Sequence, residues 1–80
     1  MKLWRKTMKV GTKMIGNWGA MIPLSYGVIS KIDSNIVFIT WDDMPGSISY
    51  GISDIDKGQM TLNGKPAGVG IYTEDQYYNN

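Results

Sequence analysis

The chain has 80 residues, 42% of them hydrophobic, and a formal net charge of +1, with neither cysteine nor histidine. A chain of this length holds one domain with a thin core, so a homo-oligomer is compatible with it. The missing residue types exclude a disulfide framework, thiolate chemistry, the usual zinc ligands and the side chain that most often moves protons near neutral pH.

The opening Met1-Lys2-Leu3-Trp4-Arg5-Lys6 has the charge of a secretory n-region, but Lys9 and Lys13 interrupt the apolar run that would have to follow. Residues 1–7 are read as a basic arm, and the protein is expected in the cytoplasm, or in the host cytoplasm if it is viral. Met8, Val10, Thr12 and Met14 alternate with Lys9, Gly11, Lys13 and Ile15, which predicts a first strand with the methionine register facing the core. Residues 16–27 follow as a long loop that is too rich in glycine for a helix and more apolar than a connection needs. Residues 26–32 and 36–41 read as the second and third strands, joined by a turn at Asp33-Ser34-Asn35. After Met44-Pro45-Gly46, the alternation of Ile48, Tyr50 and Ile52 gives a fourth strand, then a short helical turn at Ser53-Asp54-Ile55 with Asp54 as its cap. Asn63-Gly64 marks a reverse turn, and a fifth strand uses either Val69 with Ile71 or Gly70 with Tyr72. Residues 73–80 read as a polar tail.

The expected fold is therefore all-β, a small, partly open, five-stranded barrel with a long first loop and a helical turn before its last strand. Val10-Gly11-Thr12-Lys13-Met14, the glycine-rich loop, Gly27-Val28-Ile29-Ser30-Lys31-Ile32, Ile39-Thr40-Trp41-Asp42-Asp43 and Ser53-Asp54-Ile55 resemble SH3-like barrels of the KOW or Tudor type. Short uncharacterised phage proteins are similar. The resemblance covers about residues 9–56 and implies a ligand surface between the first loop and the third and fourth strands.

Charge is unevenly distributed: residues 1–32 sum to +6 and residues 33–80 to −5. Either the halves pair inside the barrel, or they leave a basic face or a charged oligomer contact. Trp18, Tyr26, Trp41 and Tyr50 are the aromatic candidates for partner binding, with Trp41 read as core and Trp18 as exposed. Met21 and Pro23 add an adaptable apolar edge, and Ile22 and Leu24 either join it or plug the barrel mouth. A protein partner fits this surface best. Nucleic acid would use Arg5, Lys6, Lys9 and Lys13, and a small cyclic or linear nucleotide held by an oligomer would stack on Trp18 or Tyr26.

Catalysis and cofactors are not expected. Asp42 and Asp43 are strand neighbours that point apart, and the serines have no histidine to activate them. Pro45-Gly46-Ser47-Ile48-Ser49-Tyr50 faintly resembles the pore-lining strand of type II dihydrofolate reductases, but the glutamine of that strand is absent, so no activity is carried over.

Overall fold

The computed structural model describes residues 8–58, 61–62, 65–66 and 68–79. Within them, five antiparallel strands curl into a half-barrel, accompanied by a two-stranded hairpin and two short helices. The strands β1 (Lys13–Asn17), β2 (Ser25–Asp33), β3 (Ile36–Trp41) and β4 (Ser47–Gly51) run as a meander into α1 (Ile52–Gly58). The hairpin β5 (Thr61–Leu62) and β6 (Lys65–Pro66) follows, and β7 (Gly70–Thr73) returns beside β1 before α2 (Glu74–Asn79). Sheet order is β4-β3-β2-β1-β7, so β4 and β7 are edges and the barrel stays open between them. This is the small all-β, barrel-like architecture that the strand pattern predicts.

Period-two burial builds the concave face. Along β3, Val37, Ile39 and Trp41 are buried, and along β2 Ser25, Gly27 and Ile29 are buried, each set on one side of the pleat. Met14, Ile55 and Ile71 complete the core, where burying one large apolar side chain contributes about 1.5–3 kcal/mol. The β2–β3 register slips between Ile29 and Lys31, leaving Ser30 as a bulge whose hydroxyl donates to the Phe38 carbonyl at 3.2 Å. Such a bulge increases local twist and helps curl the sheet. The turn predicted at Asp33-Ser34-Asn35 forms, with Ser34 in the left-handed region at φ 58.

The first strand begins later than its alternation predicts. Lys9 to Thr12 form a turn: the Thr12 N–H donates to the Lys9 carbonyl at 3.0 Å, and Gly11 takes φ 94. Val10 is consequently 61% exposed rather than core. Ile15, in the register opposite the one expected to face the core, is fully buried, because β1 lies between β2 and β7 and its outer face is covered by α2.

A second correction concerns the expected polar tail. Thr73 pairs with Met14, and its Oγ1 accepts the Gln76 N–H at 3.0 Å, capping α2. Tyr77 of this helix packs against Tyr72 at 5.6 Å between ring centroids, outside the sheet. Ile71 and Tyr72 are thus both buried, one on each face of β7, where either alternative register would bury only one. The basic arm with Arg5 and Lys6, and the Asn63-Gly64 turn, lie outside the described residues. Among the described residues, no helix is long and apolar enough to cross a membrane.

Candidate functional site

The connection between β1 and β2 is shorter than the sequence suggests, because Gly16 and Asn17 end one strand and Ser25 begins the next. Residues 18–24 form the loop itself. The Gly19 N–H donates to Asn17 Oδ1 at 3.1 Å and the Ile22 N–H to the Gly19 carbonyl at 3.2 Å, so a side-chain turn and a backbone turn shape it. Its tip carries Met21, 94% exposed, and Ile22, 52% exposed. Leu24 is half-buried, so only one of the two residues considered as a plug turns inward.

Trp18 does not stand free, as the sequence reading expects, but is half-buried with its indole folded back over Gly16. Its ring meets that of Trp41 edge-on at 5.5 Å. Trp41 is buried, as read from the sequence, and lies across its cross-strand partner Gly27, where any Cβ would meet its ring. Both indole N–H groups are spent internally: Trp18 Nε1 donates to Ser25 Oγ at 2.8 Å, and Trp41 Nε1 donates to the Tyr50 hydroxyl at 2.9 Å. The Ser25 hydroxyl in turn donates to Asp43 Oδ2 at 2.8 Å. These bonds matter because a Trp N–H buried without an acceptor costs about 1–3 kcal/mol.

Together these groups bound a pocket of about 330 Å³. Trp18, Trp41 and Tyr50 supply its aromatic walls, Ile22 and Pro23 come from the loop, and Met44 from the β3–β4 turn. Its polar corner is Ser25 with Asp43, and no described cation pairs with that carboxylate. The Tyr50 hydroxyl accepts from Trp41, leaving its own proton to donate. The pocket therefore presents ring and aliphatic surface, a carboxylate and one O–H donor. That chemistry suits an apolar group carrying a positive charge or hydrogen-bond donors. Sequence reasoning missed Ser25, Asp43 and Met44 as parts of this wall, although Asp43 and Met44 flank a turn directly after the Trp41 strand.

Three of the sequence candidates fall elsewhere. Tyr26 pairs with Ile15 on the convex side of the sheet, one residue out of phase with Ser25 and Gly27. Its hydroxyl lies 3.3 Å from that of Tyr78 on α2, so it braces the helix and does not face the tryptophans. The Tyr78 phenol is held above its ordinary value of 10.0, chiefly by this hydrogen bond. Lys13 lines a separate hollow of about 320 Å³ with Thr12, Thr73, Glu74 and Asp75, and Lys9 is exposed before the first strand. Neither lysine borders the aromatic pocket. Met21 lies at the loop tip beside the pocket and is not part of its lining.

Comparison of the chain with protein-family models, with curated proteins and with solved structures returned no match.

Proposed function

We propose that the protein is a non-enzymatic binding module that holds a protein partner in an accessory or regulatory role, through the first loop and the aromatic pocket beneath it. The observation that carries this reading is the convergence of Trp18, Trp41 and Tyr50 with the exposed loop residues around a cavity of about 330 Å³. Rigid rings bind with little loss of conformational entropy, and the exposed Met21 and Ile22 extend the apolar surface outward for a partner to cover. Asp43 weighs against the alternatives of a nucleotide or nucleic acid in this pocket, since a phosphate would meet a carboxylate and no described lysine lines the wall.

The test is selection of binders from a displayed random-peptide library on the intact protein, repeated with a Met21→Asp, Ile22→Asp double variant. Both residues are exposed, so the thermal midpoint should stay close to wild type while enriched peptides lose about tenfold or more in affinity. Undiminished affinity in the double variant would remove the loop from the function.

A further inference from the structure

The half-barrel is open along one seam. β4 and β7 are the sheet's two edges, and no described strand pairs with the outer side of β4. The phase of the β3–β4 ladder says which backbone groups face that side. The Ile52 N–H donates to the Asn35 carbonyl at 2.8 Å, and the register places Ile36 opposite Gly51, Val37 opposite Tyr50 and Phe38 opposite Ser49. Hydrogen-bonded and non-bonded pairs alternate in an antiparallel ladder, so Tyr50 and Ile48 exchange bonds with β3, while Ser47 and Ser49 turn their N–H and C=O groups outward and Gly51 its N–H, the Gly51 carbonyl opening α1.

This edge lacks the usual protection. Ser47-Ile48-Ser49-Tyr50-Gly51 contains no charge and no proline, and its register shows no bulge. Two hollows flank it, and Tyr50 lines both. One is the aromatic pocket, with Asp43 at its margin. The other, of about 210 Å³, lies in the seam between β4, α1 and β7, walled by Ile55, Val69 and Ile71 with Asp54 at its rim. Each hollow is thus apolar with a single carboxylate, and no described cation pairs with Asp42, Asp43 or Asp54. A second copy laid antiparallel on β4 would bring the acidic ends of the two strands together.

From this we infer that β4 is a docking edge for an extended, basic segment of a partner protein, which adds a strand to the sheet. The inference rests on reading the protein as a binding module and names the form its partner takes. Main-chain bonds to Ser47, Ser49 and Gly51 hold the segment, and its alternate side chains turn into the two hollows. Arginine or lysine suits those positions, because the stem covers apolar wall while the charged head reaches Asp43 or Asp54.

The probe is a blocked peptide of alternating arginine and valine, about one strand in length, titrated against the full chain by tryptophan fluorescence and amide NMR shifts. It should bind, move the Ser49 and Gly51 amide signals, and outbind an alternating glutamate and valine peptide by about tenfold or more. Ser49→Pro removes only an outward donor, so it should weaken the probe by about tenfold while far-UV circular dichroism stays unchanged. If that variant fails to fold, a probe N-methylated at alternate amides carries the same test on the unmodified protein, in both possible phases. Equal binding of the acidic and basic probes, or undiminished binding after edge and probe donors are removed, would overturn the inference. So would self-association that Ser49→Pro abolishes, because a second copy would then occupy the edge. If library peptides depend on Met21 and Ile22 but not on Ser49, the loop reading stands and the edge falls. If they depend on Ser49 alone, the edge stands and the loop reading falls.

Discussion

A Cβ built on Gly16 would overlap the indole of Trp18, whereas one on Gly27 would lie 2.6 Å from the Thr40 carbonyl oxygen and 2.8 Å from the Trp41 ring. The first obstacle is a half-buried side chain that can swing; the second includes backbone of the central sheet. Gly27→Ala should therefore cost about 2–3 kcal/mol and Gly16→Ala about 1–2 kcal/mol, read from urea unfolding. Only Gly16→Ala should shift the Trp18 emission strongly. At this scale Trp41 was legible, since it closes a run of β-branched and aromatic residues in which every second position is buried. The fold-back of Trp18 was not, because it depends on where β1 stops and on Ser25 arriving from the next strand to accept its N–H. Tyr26 was misplaced for a related reason: one step along a strand changes the face of the sheet, and the boundary of the loop decided which step it occupied.

Strands β2 and β3 and the turn between them follow their sequence signals closely, as pattern, turn chemistry and packing agree there. The ends of the sheet do not. Ile52, expected to end the fourth strand, opens a helix that runs to Gly58, and Asp54, expected to cap a short turn, lies inside its first turn. β1 is covered on both faces, so Met14, Ile15 and Gly16 are all buried and no alternation survives to be read. For α2 a usable signal existed in Thr73-Glu74-Asp75-Gln76, which has the spacing of a capping box, although the high polarity of residues 73–80 masks it. Attachment of this helix to the sheet carries a pH dependence. Because the Tyr78 phenol titrates above 10.0 in the folded chain, its contribution is complete below that value and is lost as pH rises through the elevated one. Tyr78→Phe removes this contribution, so the difference in urea midpoint between wild type and variant should shrink as pH climbs past 10.0. A difference that stays constant with pH would show that the Tyr26–Tyr78 contact is not retained in solution.

Across the whole molecule, adjacent strands of the meander pair with their sequence neighbours, whereas β7 reaches back to β1 through pairs such as Met14 with Thr73. Closing that long loop costs chain entropy before any pairing compensates for it. β7 is also a four-residue edge, so its amides and those of α2 should exchange with deuterium faster than the β2–β3 ladder. Mass spectrometry of exchanged peptides checks this, and equal protection of both regions would contradict it. The uneven charge that prompted an expectation of pairing between the halves finds no described cation at Asp42, Asp43 or Asp54. Burial of β1 by the C-terminal segment has one more consequence, for synthesis on the ribosome. The four-strand meander can assemble once β4 has emerged, but the outer face of Ile15 and the free side of β1 stay bare until residues 70–79 have emerged in turn. A nascent chain stalled with α1 already outside and residues 70–79 still enclosed would therefore be a chaperone client with a half-finished sheet, completed when those residues follow.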